Sequence, residues 1–310
     1  MTKILLAYRL DQINSQEIPT YSESFWRALI MKKHDVTRIG QGQSHAQHVN
    51  ELTEKELKQY DLFIDLDCGR GTDGKLHFQF QDRKCPIPSA IRFIDSHGYP
   101  SLHRRTAKNY EHTFFAVWDR RDLFSTHQSA HWCPNASDDI WFDYTLSYEY
   151  WDRPKICVGF FGSKGGLDRA DMLRDVCNSR SNYSYDIREI GKSWKVRWPR
   201  TAHAMANCKI LFNYGQKHDG PNQRVIESML MNRPLINNRD KRDGMDKLFE
   251  AGTHYLSYES KAELANQIAW CFNKETVPLA ENMAQRAYNL VKEKHLVKHR
   301  VDQILEVCLQ

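Results

Sequence analysis

The sequence predicts an α/β protein made of two Rossmann-like, doubly wound domains in series, residues 1–153 and 154–310. Three observations predict it. Short β-rich runs alternate with helical stretches, which implies parallel βαβ units. The alternation restarts just after Pro154. A length of 310 residues is enough for two cores of ordinary size.

Taken in order, the first half offers strands at "KILLAY", "LFIDLD", "AIRFID", "TFFAVW" and "AHWCP", with "YSESFWRALIMKKH" as its clearest amphipathic helix. In an open parallel sheet the loops after the strands face one crevice, and ligands bind there. After Pro154 comes a fresh strand, "KICVGFF", then a glycine-bearing loop, "GSKGGLDR", and a helix, "ADMLRDVCNS". Further strands are expected at "YDIREIG", "KILFNY", "PLINN" and "THYLSY", and helices at "RTAHAMANC", "QRVIESMLM" and "SKAELANQIAWCFN". One last long helix, "AENMAQRAYNLVKEKHLVKHRVDQILEVC", closes the chain and is expected to pack back on the first domain.

Composition narrows the function classes. No apolar run reaches the roughly 18 residues of a membrane span, and "MTKILLAYRL" is interrupted by Arg9 too soon for a signal peptide. Eight cysteines lie singly, without a CxxC pair, as reduced thiols in a cytoplasmic protein do. His295 and His299 stand at i and i+4 on a basic helix, but with no acid between them in the HExxH manner, so no metal is expected. Charge is uneven: residues 154–310 hold 25 Lys and Arg against 18 Asp and Glu. A basic second half suggests an anionic ligand there, a phosphate group or a nucleic acid.

The stretch "DGPNQRVIESMLMNRPLINN", residues 219–238, reads as a turn, a helix and a strand. Pro221 suits a first helical position because its missing N–H has no partner to lose. The free amides of that turn make an anion site to which Arg224 adds a charge. Glu227, about two turns in, suits hydroxyls better than phosphate, and a carboxylate can accept from two vicinal hydroxyls such as those of a ribose. The plainer reading makes Asp219 an N-terminal cap and Glu227 an exposed helix residue.

This acid-x7-acid spacing resembles the E-x7-E signature of glycosyltransferases with the GT-B fold, with Asp219 in the first place. "CKILFNYGQKHDGPNQRVIESMLMNRPLINN" resembles the donor-domain core of the CgeB-like, spore-maturation-type family. "DKLFEAGTHYLSYESKAELANQI" and "VKEKHLVKHRVDQIL" resemble the elements that follow it there, and "AHWCPNASDDIWF" the segment leading into the donor domain. The likeness covers most of residues 110–310; the first hundred match at the level of fold. It implies that Glu227 binds the nucleotide ribose, Asp219 the transferred sugar, and the amides after Gly220 the diphosphate, with Asn222 and Arg224 beside them. It also implies that the two domains face a cleft, with a nucleotide-sugar donor, UDP-linked in the first instance, and no bound cofactor.

Other candidates stand around that core. Gly162, Ser163 and Lys164 follow the first strand of the second domain, where glycines let a backbone approach a diphosphate and Lys164 neutralises it. Asp95 and His97, in "FIDSHGYPS", end a strand at the crevice; either serves as the base of an inverting transfer, and His97 alternatively as a sugar contact in a retaining one. Asp65 and Asp67 imitate a metal-holding DxD pair but lie in the first half, and read as a strand-end turn or acceptor contact. Trp194, Lys195, Arg197 and Arg200 interleave rings and cations as a nucleic-acid surface does, which admits DNA as the acceptor. The resulting expectation is a metal-independent sugar transfer from a nucleotide donor to an acceptor hydroxyl. The alternatives are a transferase acting on a hydroxylated DNA base, a non-catalytic nucleotide- or nucleic-acid-binding module of the same fold, and a sugar-nucleotide epimerase of similar build.

Overall fold

The computed structural model describes residues 1–8, 21–39, 49–66, 80, 83–94, 100–146, 153–163, 169–179, 183–190, 198–215, 221–239 and 244–310. They pack as two compact units. One comprises Met1–Asn135 and Val297–Gln310, the other Ala136–Lys217 and Pro221–Leu296.

The first unit runs β1 (Lys3–Ala7), α1 (Tyr21–Met31), β2 (Asp35–Ile39), α2 (Glu54–Leu57), β3 (Leu62–Asp65), β4 (Ser89–Phe93), α3 (Pro100–Ala107), β5 (His112–Phe115) and β6 (Ala130–Trp132). All pair in parallel, in the order β2-β1-β3-β4-β5-β6. Every residue of β3 and β4 is buried, as in strands covered on both faces. β2, "DVTRI", is a strand that hydrophobic patterning does not announce. It lies on the sheet edge with Asp35 and Thr37 exposed, so it needs few apolar residues.

The second unit runs β7 (Ile156–Ser163), α4 (Arg169–Ser179), β8 (Tyr185–Ile190), α5 (Trp198–Ala206), β9 (Cys208–Asn213), α6 (Gln223–Leu230), β10 (Leu235–Asn238), α7 (Met245–Leu248), β11 (Leu256–Tyr258), α8 (Lys261–Phe272) and α9 (Val277–Lys294). Its five strands are also parallel, in the order β11-β10-β9-β7-β8. Side chains alternate across this sheet. Phe161, Leu211 and Leu235 join Met205, Val225, Met229 and Val291 in a core under α5, α6 and α9. Phe160, Phe212 and Ile236 join Leu173, Leu264 and Ile268 in a second core under α4 and α8. Helices on both faces of the second sheet, and fully buried central strands in the first, agree with the doubly wound architecture that the alternating sequence predicts. At Gly159 an added Cβ would land on Cys208 Sγ and within 2.6 Å of the Phe161 ring, so that position admits no side chain without displacement.

Residues 136–146 are fastened to α9. Lys292 Nζ lies 2.6 Å from Asp139 Oδ2 and 2.7 Å from Asp143 Oδ2. Asp143 also accepts from the Tyr288 hydroxyl at 3.1 Å and the Thr145 hydroxyl at 2.8 Å. The long closing helix expected from the sequence is in fact two. α9 ends at the C-cap His295, Leu296 bridges in parallel to Ser137, and a new helix, α10 (Val297–Cys308), follows. The buried Leu296 takes its backbone partner from a remote segment, which is incompatible with continuing the helix. α10 then packs against α1, β4 and β5 of the first unit. His295 and His299 therefore do not share one helix: His295 is buried against Phe249, ring centroids 5.0 Å apart, and His299 lies on α10.

Candidate functional site

In the second sheet β7 is the first strand, and the chain winds to one side through β8 and to the other through β9, β10 and β11. Strand order reverses between β7 and β9, and doubly wound sheets open for a ligand beyond the carboxyl ends at that point. Gly162 and Ser163 are the last residues of β7, and Asn213 is the last of β9. At Gly162 an added Cβ would stand 2.8 Å from Phe160 Cζ, so the glycine has a packing reason of its own.

α6 begins at the same edge. Its N-cap is Asn222, whose side chain accepts from Val225 N–H at 3.3 Å. Pro221 is thus the residue before the cap, not the first helical residue, and the capping role offered to Asp219 belongs to Asn222. Helix geometry leaves the first amides, those of Gln223 and Arg224, without acceptors inside the helix.

Glu227 sits in the second turn of α6 and is 2% exposed, so it is no surface residue. Its Oε2 meets Arg224 Nη1 in an i,i+3 ion pair. Arg224 is therefore engaged by Glu227 through Nη1, a partner that the simplest reading of its charge did not include. The guanidinium is still not fully used: Nε is buried without a hydrogen-bond partner, and Glu227 Oε2 has no hydrogen bond of good geometry. Burial pushes the Glu227 carboxyl up to about 7, against the opposing pull of Arg224. At neutral pH this group is poised between accepting and donating a hydrogen bond, at the mouth of a helix whose end attracts negative charge.

Sequence patterning did not reveal a second feature of this edge. Asn213 and Asn237, 3% and 1% exposed, lie side by side because β9 and β10 pair in the register Asn213↔Asn237. Asn222 Nδ2 donates to Asn213 Oδ1 at 3.4 Å, Asn213 Nδ2 to Asn237 Oδ1 at 2.6 Å, and Asn237 Nδ2 to the Asn238 carbonyl at 2.8 Å. Asn238 Oδ1 accepts from Gly215 N–H at 2.5 Å. The only trace in the sequence is a strand that ends on "NN" and another that ends on a single Asn.

The structure thus brings Gly162, Ser163, Asn222, Arg224 and Glu227 to one edge of one sheet. Lys164, Asp219, Gly220, Asp95, His97, Asp67, Trp194, Lys195 and Arg197 lie outside the described residues. Arg200 is exposed in the first turn of α5. Asp65 is fully buried at the end of β3 and accepts from the Tyr110 hydroxyl at 2.6 Å, the behaviour of a polar strand end. Among the described residues no three His, Cys, Asp or Glu side chains gather as a metal site, no helix is long and apolar enough to cross a membrane, and seven cysteines are free thiols.

Residues 169–306 match the family model described as glycosyl transferase-like. No curated protein matches the chain significantly. Among solved structures, a glycosyltransferase from Rickettsia africae is 11% identical with a TM-score of 0.62, over 99% of this chain and 97% of that one. Anabaena HepE in complex with UDP-glucose is 14% identical with a TM-score of 0.62, over 99% of each chain. An alpha-glucosyltransferase in complex with UDP and a 13-mer DNA containing an HMU base is 8% identical with a TM-score of 0.66, over 100% of each chain. At these identities the likeness is one of fold.

Proposed function

We propose that this chain is a glycosyltransferase of GT-B type that moves a sugar from a nucleotide-sugar donor to an acceptor hydroxyl, with no metal ion and no bound cofactor; the glycosyl transferase-like match over residues 169–306 and the likeness in fold to glycosyltransferases support the reading. The donor sits on the second unit, at the edge shared by β7, β9 and α6. The observation that carries this reading is Glu227: a buried acid paired with Arg224 near the entry of a helix, beside the strand-order reversal. Glu227 accepts from the ribose hydroxyls. Asp219 contacts the transferred sugar, making Asp219-x7-Glu227 a variant of the E-x7-E pair and the chain a CgeB-like transferase. The α6 amides, the backbone after Gly220, Gly162, Ser163 and Lys164 hold the diphosphate, and Asp95 or His97 serves the acceptor hydroxyl or the donor sugar. Rate enhancement then rests on positioning and on stabilising charge on the departing diphosphate. The free thiols suit the cytoplasm.

The test is a melting-temperature panel of UDP, ADP, GDP, CDP and TDP with their sugars. A ligand of the folded chain raises the melting temperature by mass action. One base is expected to do so, and the response should vanish in Glu227→Gln. A well-folded wild type unmoved by every donor at millimolar concentration refutes the donor site and favours a non-catalytic module. UDP-glucose is the first donor to try, since Anabaena HepE is seen in complex with it.

A second reading makes DNA the acceptor, supported by the likeness to the alpha-glucosyltransferase bound to HMU-containing DNA and by the exposed Arg200 beside the basic, aromatic segment. Incubating an HMU oligonucleotide with UDP-glucose and weighing the product decides it. A mass gain of one hexose supports a DNA acceptor, and an unmodified oligonucleotide with a donor-binding protein excludes this base.

A further inference from the structure

Side-chain amides buried at the ends of two adjacent strands are an expensive way to finish a sheet, since apolar residues there need no partners. The set in the second unit is also directional. From α6 outward, each Nδ2 donates to the next residue: Asn222 to Asn213, Asn213 to Asn237, Asn237 to the Asn238 carbonyl. An amide that donates on one side and accepts on the other has its orientation fixed by both neighbours. Reversing one amide therefore requires reversing the next. A network of this kind adds little net stability but specifies one geometry.

Its two ends are informative. One end is the N-cap of α6, where Asn222 uses its oxygen on Val225 N–H and its nitrogen on Asn213. The other is Asn238, whose Oδ1 accepts from Gly215 N–H. Gly215 and Pro221 are the described residues on either side of residues 216–220, the segment that carries Asp219 and Gly220. The amide chain thus fixes the helix mouth against β9 and β10 and ends on the Asn238 carbonyl, while the Asn238 side chain separately ties Gly215 to the end of β10.

We infer that Asn213 and Asn237 are positioning residues for the nucleotide: they touch no ligand, but hold the α6 N-terminus against β9 and β10 in the register that binds a diphosphate. This rests on the donor-site reading above. Register matters because a displacement of about 1 Å at a binding group costs on the order of 10²-fold in turnover. Hydrophobic cores on both faces of the sheet would keep the fold if the amides were removed, whereas the register would not survive.

The experiment measures UDP affinity by calorimetry, alongside the melting temperature of the ligand-free chain, for wild type, Asn213→Ala, Asn222→Ser and the double variant. Serine caps a helix about as well as asparagine, so Asn222→Ser keeps the cap and severs only the link to Asn213. Each single variant is expected to weaken UDP at least tenfold, Asn222→Ser with little loss of melting temperature. The double variant should bind nearly as well as the weaker single one, because both cut the same chain. Should Asn213→Ala fold too poorly to titrate, Asn222→Ser alone must still show the tenfold loss. Wild-type affinity in a folded Asn222→Ser, or losses that multiply in the double variant, overturn the inference while leaving the donor site standing, provided Glu227→Gln still weakens UDP. A wild type that binds none of the five nucleoside diphosphates overturns both.

Discussion

Replacing Glu227 by glutamine should change how the stability of the second unit depends on pH. The carboxyl is 2% exposed, and burial raises it from 4.5 to about 7. Between those values the folded chain retains a proton that the unfolded chain has released, so this group's contribution is full below pH 4.5 and is lost as pH rises through 7. The span corresponds to about 3 kcal/mol. Glutamine does not titrate, and it leaves Arg224 with a neutral neighbour at every pH. Relative to Glu227→Gln, the wild type should therefore lose about 3 kcal/mol between pH 4.5 and 8, roughly 6–12 °C in relative melting temperature for a unit of this size. Scanning calorimetry of both proteins across that range reads it directly, with the other carboxyls cancelling in the difference. Two curves with a constant offset would refute the reasoning, since Glu227 would then ionise as freely in the folded chain as in the unfolded one.

Two further outcomes follow from the packing. In Lys292→Met the 7%-exposed Asp143 loses its cation, and urea unfolding at pH 7 should show a loss of about 1–3 kcal/mol. Burial works to raise the Asp143 carboxyl, but its bonds to Lys292 and Thr145 outweigh this and hold it below the ordinary value. The stability it brings is present above that ordinary value and is lost as pH falls, so wild type and Lys292→Met should converge in acid. Gly159→Ala drives a methyl into Cys208 Sγ and the Phe161 ring and should cost about 1–3 kcal/mol. Cys208→Ala in the same chain should restore part of it, and a double variant no more stable than Gly159→Ala alone would show that Phe161 is the whole obstacle.

Most of the fold is legible in the sequence, because central parallel strands are short apolar runs and doubly wound sheets alternate them with helices. The exceptions have physical reasons. β2 is an edge strand whose exposed Asp35 and Thr37 break any apolar pattern. The division between α9 and α10 carries neither glycine nor proline; it is made by Leu296 pairing with Ser137, a contact that local spacing does not encode. At the site, the i,i+3 spacing of Arg224 and Glu227 was visible, but not that the pair would be buried and spend the arginine on the acid. The asparagines were visible only as strand ends. Their meeting depends on β9 lying beside β10 in one register, which is a property of the sheet.

The placement of α10 has a consequence for biosynthesis. The helix belongs to the first unit, where it covers α1, β4 and β5, yet it follows the whole of the second unit along the chain. At about 5–20 residues per second, the ribosome spends on the order of 10–30 s between finishing β6 and reaching α10. During that interval the first sheet has all its strands and lacks one of its covers, while the second unit is still being made and is complete only at Leu296. The unit begun first is thus the last to be completed, and the surface of α1, β4 and β5 waits uncovered until α10 arrives.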